Sequence, residues 1–344
     1  SQMEKTGELE LAYADQFSVD YYENYRMVHI KDGGHFLLVP KGCQVPKNLP
    51  KGTVVLKAPL NKTYLVSTAA MDPIVKIGAL NNILLTGTRE NDWFIEAAKT
   101  ALKRGDILFA GKYSQPDYEL ILSKGCNLAL ENTMILHNPQ TKEKLEKLGI
   151  PVLVERSSYE AHPLGRLEWV KLFGTLFGKE KEAKKLFDSE VQKLAPILEK
   201  KKTKKTVAFF YFSADGSVNV RKPGDYISRM IELAGGTYCI TNIPDMEDNA
   251  LSTASMQMED FYVMAKEADV LIYNSTIVGE LPDLSELLKQ SKLLREFKAV
   301  KKGQVYCTGQ NFFQQTTGTC TFIEDLHKVL CGMKGDLTYL KKLR

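Results

Sequence analysis

The sequence lacks the features that mark membrane-spanning proteins, zinc modules and the commonest hydrolases. No stretch of the chain reaches the roughly 18 apolar residues that a membrane-spanning helix needs. Six cysteines occur without a CxxC pair or a zinc-type spacing. The motifs GxSxG, HExxH and GxGxxG are all absent. The sequence therefore predicts neither an integral membrane protein nor a metal knuckle, and it predicts no enzyme.

The charged residues do not favour one sign. The chain carries 46 Lys and Arg against 42 Asp and Glu, a formal net charge of +4. No arginine-rich stripe interleaved with aromatic residues occurs, so nucleic acid is not an expected partner. The densest basic run, residues 200–205, lies between a helical pattern and a strand pattern and is interpreted as a solvated connection. No export signal is found from Ser1 onwards, and the sequence leaves open whether a signal or a lipid anchor precedes it.

At 344 residues, 44% of them hydrophobic, the chain is long enough to form two cores. Two apolar runs flank the turn sequence Lys31-Asp32-Gly33-Gly34 and predict an N-terminal β-hairpin within 17–39. Short apolar runs then alternate with amphipathic segments, a pattern typical of a mainly parallel sheet covered by helices. The predicted strands are 54–56, 64–66, 83–85, 107–109, 128–130 and 152–154, and the predicted helices are 71–80, 93–103, 117–124 and 140–148.

From Pro163 to about residue 200, apolar residues recur at helical spacing. We expect one uninterrupted helix over roughly 164–195, ended or bent by Pro196. Alternation then resumes, with predicted strands 207–212, 217–220, 270–273 and 304–306 and predicted helices 225–234, 255–267, 284–297 and 319–331. The predicted fold class is α/β. Two Rossmann-like lobes, 1–160 and 201–344, are joined by a single long backbone helix within 161–200, and the N-terminal hairpin is an extension.

The two halves of the chain contain a repeated helix–strand unit. In each half a short helix leads into a buried strand, at 128–130 in the first half and at 270–272 in the second. Glu119 and Glu259 lie in the first turn of these helices, where an acid interacts favourably with the helix dipole. An acid at matched places in both halves favours a duplicated lobe.

With these features the chain resembles the helical-backbone family of ABC-importer binding proteins, which serve siderophore, haem and vitamin B12 transport. The resemblance runs from about Leu56 to the end and depends on the two Glu–helix–strand units, on PLGRLEW at 163–169 and on IELAGG at 231–236. It implies an extracytoplasmic monomer, in the periplasm or lipid-anchored to the outer face of the cell membrane. It also implies capture of a small-molecule metal chelate and delivery to a membrane permease dimer, on which Glu119 and Glu259 would dock. No intrinsic cofactor is implied.

The family's ligand is contacted by the loops that follow the strands, as open α/β sheets generally arrange. Carried over to this chain, the ligand-binding residues are Arg89, Lys112, Tyr113, Asn132, Tyr159, Arg221, Thr253, Phe312 and Phe313. The cations could clamp carboxylate, catecholate or phosphate groups, and the aromatic rings offer flat apolar faces. The expected ligand is therefore an anionic ferric siderophore or a related iron complex, with haem or a corrinoid also open. Neither Trp93 nor Trp169 falls on a cleft loop, which disfavours cobalamin.

Two alternative functions stay open. Direct binding and transport of Zn²⁺ or Mn²⁺ needs clustered histidines and carboxylates, and of the five histidines only His137 and His162 lie near the predicted hinge. Tyr159 or His162 could also serve as an axial haem ligand, although a capping role for His162 before Pro163 is favoured. A hydrolase on the same two-lobed fold is the other alternative, but no residue identifies a catalytic base.

Overall fold

A computed structural model describes residues 3–243 and 253–344 of the chain. The chain divides into two compact units. Unit 1 comprises the residues up to Asp188 together with Gln314–Thr317, and unit 2 comprises Ser189–Phe313 and Gly318–Arg344. Each unit contains β-sheet covered by helices, which confirms the predicted α/β class with two lobes. Among the helices of the described residues, none is long and apolar enough to cross a membrane.

Unit 1 begins with a five-stranded sheet of its own. Its strands, in spatial order, are β1 (Gly7–Glu8), β2 (Phe17–Tyr22), β3 (Tyr25–Ile30), β4 (Gly34–Val39) and β5 (Thr53–Lys57). The predicted hairpin is confirmed as β3–β4, and its turn has positive φ at Asp32 (55°) and Gly34 (92°). Residues 54–56 were expected in the helix-covered sheet, and this expectation is wrong because they lie in β5 and pair with β4. Apolar runs predict a strand but do not indicate which sheet it joins.

Two buried glutamates tie this N-terminal sheet to the helices that follow the second sheet. Glu168 accepts hydrogen bonds of 2.8–2.9 Å from the backbone N–H groups of residues 12–14. Glu160 accepts from the N–H groups of residues 15 and 16 and from the indole of Trp169 (2.8 Å). A buried carboxylate that accepts several N–H bonds fixes the backbone around it. The chain entering β2 is therefore held by side chains about 150 residues away in sequence.

The second sheet of unit 1 is wholly parallel. Its strands are β6 (Thr63–Leu65), β7 (Ile83–Thr86), β8 (Leu108–Phe109), β9 (Leu128–Glu131) and β10 (Val152–Val154), in the order β10-β9-β6-β7-β8. The connecting helices are α1 (Met71–Lys76), α2 (Glu96–Arg104), α3 (Tyr118–Ser123) and α4 (Pro139–Lys147). Ile121 of α3 and Leu145 of α4 pack into one buried cluster with Tyr64 and Ala129. The strand order reverses between β6 and β9, the place where open α/β sheets bind ligands at their carboxyl edge.

The segment that follows is three helices rather than one: α5 (Pro163–Glu168), α6 (Val170–Phe177) and α7 (Glu180–Leu198). The last of these includes Pro196. α6 ends because Gly178 adopts a left-handed conformation (φ 69°) and the Lys179 N–H bonds back to the Gly174 carbonyl (2.7 Å). The predicted uninterrupted helix over 164–195 is therefore wrong, since this glycine stop outweighs the apolar periodicity. The chain passes from unit 1 to unit 2 within α7 and crosses again on each side of residues 314–317.

Unit 2 contains a mixed sheet in the order β14-β12-β11-β15-β16-β17. Its strands are β11 (Thr206–Phe212), β12 (Val218–Arg221), β13 (Thr237–Tyr238), β14 (Thr253–Met256), β15 (Val270–Tyr273), β16 (Val305–Thr308) and β17 (Leu340–Lys342). β13 pairs beside the start of β11, and β11, β15 and β16 are parallel. The helices are α8 (Tyr226–Leu233), α9 (Met258–Ala265), α10 (Leu284–Leu288), α11 (Lys298–Lys301) and α12 (Thr319–Leu330). Residues 255 and 256, expected in a helix, lie in β14, and the helix expected over 284–297 ends at Leu288.

The returning segment 314–317 is held by polar contacts inside unit 1. Thr317 donates to the Asp72 carboxylate from both its backbone N–H (2.9 Å) and its hydroxyl (2.5 Å). The Gln314 side chain accepts from the Phe94 N–H (2.7 Å) and donates to the Asp92 carbonyl (2.8 Å). Both Asp72 and Thr317 are buried. These contacts explain why four residues so late in the chain belong to the first unit.

Candidate functional site

The loop after β8, at the carboxyl edge of the parallel sheet in unit 1, has a constrained backbone. Its first glycine, Gly111, has φ 86°, and an added Cβ would lie 2.3 Å from the carbonyl oxygen of Gln115. The Tyr64 hydroxyl donates to the Gly111 carbonyl (2.5 Å) from inside the core. Lys112 follows and is exposed, whereas Tyr113 is half-buried against the core cluster. The loop therefore holds Lys112 on a rigid backbone. Packing against the core cluster explains why the Tyr113 side chain is partly buried.

Arg89 and Tyr159 both take part in cation–aromatic contacts inside unit 1. The exposed Arg89 guanidinium lies 4.3 Å from the centroid of the Phe109 ring and lines a cavity of about 370 Å³. Tyr159 is half-buried, with the Arg156 guanidinium 4.2 Å from its ring centroid. Such contacts orient a cation without neutralising it. Arg89 therefore keeps its charge available to an anion, as the sequence-based expectation requires.

Asn132 and Glu131 follow one another at the end of β9, and their side chains have different surroundings. The Asn132 amide oxygen accepts the Met134 N–H (2.8 Å) and so caps the helical turn Thr133–His137. Glu131 is fully buried, and neither carboxyl oxygen has a hydrogen-bond partner in the described residues. Burial raises the pKa of the Glu131 carboxyl from its ordinary value of 4.5 to about 8. Asn132 thus has a local structural role, and Glu131 is an unusual group that the sequence did not single out.

In unit 2, β12 and β14 place Arg221 directly opposite Thr253. The preceding residue, Val220, pairs with Phe210, whose parallel partner Tyr273 is the last residue of β15. Because Val218 pairs with Phe212, the last residue of β11, β12 runs away from the carboxyl ends of the parallel strands, and Arg221 lies beyond Val220 toward their amino-terminal edge. The structure thus places two of the predicted ligand-binding residues, Arg221 and Thr253, opposite one another on strands, and the expectation that they lie on loops at the carboxyl edge is wrong because both belong to the β12–β14 ladder.

The Arg221 guanidinium is held by groups that the sequence did not reveal. Its Nε donates to the Asp225 carboxylate (2.5 Å), and both side chains are nearly buried, 11% and 6% exposed. Asp225 also accepts the Ser228 N–H (3.0 Å) as the N-cap of α8. The rings of Tyr226 and Phe313 lie 5.3 and 5.7 Å from the guanidinium carbon. Arg221 is therefore an oriented cation whose charge is partly offset by Asp225.

The two adjacent phenylalanines of the last loop differ in burial. Phe312 is only 8% exposed and packs among Phe209, Phe322 and Tyr339 within unit 2. Phe313 is half-buried, with its ring 6.4 Å from that of Tyr226. Core packing thus accounts for Phe312, while Phe313 borders the surroundings of Arg221. Contact of either ring with a ligand stays a prediction.

The two predicted docking acids lie at equivalent positions. Glu119 is the second residue of α3 and Glu259 is the second residue of α9, and both are exposed. Neither forms an ion pair within residues 3–243 and 253–344. The helix-dipole interaction that the sequence suggests is compatible with both positions. Their exposure also leaves both carboxylates accessible to another protein.

The two histidines near the predicted hinge take structural positions. His162 caps α5 by accepting the Leu164 N–H at its Nδ1 (3.0 Å), the role favoured from the sequence. His137 ends an exposed helical turn. In the described residues, no group of three or more His, Cys, Asp or Glu side chains is arranged to hold a metal ion.

Comparison with known proteins agrees with this architecture. Residues 66–312, more than two thirds of the chain, match the family model of periplasmic binding proteins. The chain belongs to this family. Periplasmic binding proteins of this type are the solute-binding components of ABC transporters, so the resemblance noted in the sequence is confirmed at the family level.

Individual periplasmic binding proteins and relatives resemble this chain over most of its length. An uncharacterised lipoprotein of Methanocaldococcus jannaschii is 26% identical over 336 residues, covering 88% of this chain and 77% of the relative. A periplasmic binding protein of Veillonella parvula superposes with a TM-score of 0.64 at 16% identity, covering 80% and 92% of the two chains. A periplasmic haem-binding protein of Vibrio cholerae gives 0.63 at 15% identity, covering 78% and 98%. These structural likenesses show the fold.

Proposed function

We propose that this chain is an extracytoplasmic binding protein that captures an anionic metal chelate and delivers it to an ABC importer. The observation that carries the proposal is the arrangement around Arg221. An oriented guanidinium within 6 Å of the rings of Tyr226 and Phe313 suits a ligand with an anionic group attached to a flat apolar body. Ferric siderophores and haem both have this character. The lipoprotein name of the archaeal relative supports a place on the outer face of a membrane.

The pairing of Arg221 with Asp225 narrows the expected chemistry of the ligand. Within the described residues the Asp225 carboxylate pairs with Nε (2.5 Å), and the proposal assigns the Nη groups to the ligand. Two parallel N–H groups favour a bidentate anion such as a carboxylate or a catecholate. Because Asp225 offsets part of the charge, recognition depends on geometry as well as on net charge.

Titration with defined chelates tests this function. Purified protein is titrated with haemin, cyanocobalamin, a ferric trihydroxamate, a ferric tricatecholate, ZnCl₂ and MnCl₂, and affinity and turnover are followed by absorbance and thermal stabilisation. We expect one anionic chelate to bind without turnover. Arg221→Ala should weaken it by about 1.5–3 kcal/mol, or about ten- to 150-fold in Kd, because a hydrogen bond to a charged group is lost.

The matched control is Arg229→Ala, since Arg229 is an exposed arginine on α8 of the same unit. It should leave the Kd unchanged. Equal affinity of wild type and Arg221→Ala would contradict the assignment of Arg221. Binding of Zn²⁺ or Mn²⁺ alone would favour direct metal transport, and chemical conversion of a chelate would favour the hydrolase alternative.

A further inference from the structure

Two histidines face each other at the hairpin end of the N-terminal sheet. His29 of β3 and His35 of β4 are directly paired across the antiparallel ladder, which brings their side chains to the same face. Their Nδ1 atoms lie 2.6 Å apart, and their rings meet edge to face with centroids 4.7 Å apart. His35 is exposed and His29 is partly exposed. Two imidazole nitrogens that point at each other are a pair of donors to which a transition-metal ion can bind.

A carboxylate fixes the orientation of the His29 ring. Asp20 of β2 lies diagonally across from His29, and its Oδ2 is 2.9 Å from the His29 Nε2. Its Oδ1 pairs with the Lys5 ammonium (3.0 Å). Because an ionised carboxylate only accepts hydrogen bonds, the His29 Nε2 carries the hydrogen and the neutral ring has its lone pair on Nδ1, toward His35. Metal-binding histidines are commonly oriented in this way, by a carboxylate at the other ring nitrogen.

Packing does not explain why two histidines stand at this position. Met27 and Leu37 pair with each other two residues further along the same strands, on the same face, and both are buried in an apolar cluster. An apolar pair in place of His29 and His35 would extend that cluster. Two imidazole rings instead repel each other when both are protonated. One hydrogen between the two Nδ1 atoms satisfies both, and a metal ion can replace that hydrogen.

We propose that His29 and His35 form a binding site for one divalent transition-metal ion, with copper(II) bound most tightly. The ion would bind both Nδ1 atoms, Asp20 would support His29 at its outer nitrogen, and water would complete the coordination. Asp20 is not a ligand, so the site has two protein ligands and agrees with the lack of a three-ligand group in the described residues. The site lies outside residues 66–312, which match the family, and does not depend on the proposed chelate transport.

The separation of the two nitrogens favours copper(II) over zinc. With metal–nitrogen bonds of about 2.0–2.1 Å, adjacent ligand nitrogens lie about 2.9 Å apart around a tetragonal ion and about 3.3 Å apart around a tetrahedral ion. The 2.6 Å separation therefore has to open by about 0.3 Å in the first case and by about 0.7 Å in the second. Copper(II) prefers tetragonal geometry, and imidazole ligands bind it more tightly than the other divalent ions of its row.

Copper titration of the full chain tests the site. CuCl₂, and ZnCl₂ in parallel, is added in a non-coordinating buffer to wild type, His29→Ala and His35→Ala. We expect one copper(II) ion per wild-type chain, weaker binding of zinc, and loss of the copper site in either variant, because one of two imidazole ligands is removed. Electron paramagnetic resonance of the copper-loaded wild type, with and without ¹⁵N-labelled histidine, should show two coupled imidazole nitrogens. This readout needs no substitution and so does not depend on the folding of a variant.

Two further variants separate a metal site from a histidine contact that is only structural. Asp20→Asn keeps the size of the side chain but loses the charge that supports His29, so copper affinity should fall about 10- to 100-fold. His137→Ala is the matched control, because His137 is an exposed histidine elsewhere in unit 1. It should bind copper as wild type does.

Three results would overturn the metal site: copper stoichiometry that is unchanged in both His29→Ala and His35→Ala, an equal loss of copper in His137→Ala, or a resonance spectrum without two coupled imidazole nitrogens. Equal copper affinity of wild type and Asp20→Asn would remove the supporting role of Asp20. Tighter binding of zinc than of copper(II) would refute the assignment of the ion.

Discussion

The buried carboxyl of Glu131 should make the stability of unit 1 depend on pH. In the folded chain its pKa is about 8, and in the unfolded chain it returns to the ordinary value of 4.5. Below pH 4.5 the carboxyl is protonated in both states, and its full stability is present. Between pH 4.5 and 8 only the unfolded chain releases the proton, so stability falls as pH rises and levels off above pH 8. At about 1.36 kcal/mol per pH unit, the loss across this window is about 5 kcal/mol.

The surroundings of Glu131 leave few other sources for this slope. Tyr64 and Cys126, titratable groups of the adjoining core cluster, have pKa values raised by burial from 10 and 9. Both therefore stay neutral throughout the window. Glu131→Gln keeps the shape of the side chain and carries no charge at any pH. The variant should match wild type near pH 4.5 and exceed its stability by several kcal/mol near pH 8.5.

Denaturant unfolding followed by tryptophan fluorescence from pH 4.5 to 9 measures this difference. Both tryptophans of the chain, Trp93 and Trp169, are buried in unit 1, so their fluorescence reports on the correct unit. Glu143→Gln is the matched control, because Glu143 is exposed on α4 beside the same core cluster. A slope that is identical in wild type and Glu131→Gln would refute the reasoning, since it would place the carboxyl in contact with water or a hydrogen-bond donor.

Two further substitutions test the polar anchors of unit 1. Glu168→Gln should destabilise the unit by about 3–5 kcal/mol, because it removes the charge that offsets a buried lysine. Hydrogen exchange of the N–H groups of residues 12–14 should accelerate in this variant. It should not accelerate in the control Glu182→Gln, on the exposed face of α7. Unchanged exchange in Glu168→Gln would show that Glu168 does not hold the N-terminal chain. Thr317→Val should cost about 1–3 kcal/mol, because the buried Asp72 carboxylate loses a hydroxyl donor. The comparison is Thr338→Val at an exposed position, and equal midpoints for the two valine variants would contradict the anchoring role.

Most regular elements of the two lobes could be predicted because their strands are short apolar runs between amphipathic helices. β14 was not predicted, since the polar–apolar alternation of Thr253–Met256 extends over only four residues and runs directly into the helical pattern of α9. The uninterrupted helix was predicted from apolar spacing alone. Apolar periodicity contains no signal for the left-handed conformation of Gly178, which ends α6. The return of residues 314–317 to unit 1 depends on contacts across more than 200 residues and has no local signal.

The candidate ligand-binding residues were predicted as a set of loops, whereas Arg221 and Thr253 lie on strands β12 and β14, and their contacts have no sequence signal. Arg221 and Asp225 stand four residues apart in the sequence, yet their ion pair forms across a strand-to-helix connection and not along a helix. Glu131 shares the strand face of Ala129, so alternation places it inward. A charged residue at an inward position is normally explained by a partner. Only the structure shows that none is present among the described residues.

The stability of their helices does not by itself explain why the two predicted docking acids occupy equivalent positions. α3 is already capped by Asp117, which accepts the Leu120 N–H, so Glu119 adds only a modest dipole interaction of about 0.3–1 kcal/mol. α9 has no side-chain cap at Gln257 but carries Asp260 beside Glu259 in its first turn. The two helix starts thus differ in what stabilises them, while the exposed glutamate at the second position is common to both. Folding alone would allow any acid in the first turn. The predicted contact with the two halves of a permease dimer would instead require the same acid at the same helical position in each unit, as Glu119 and Glu259 have.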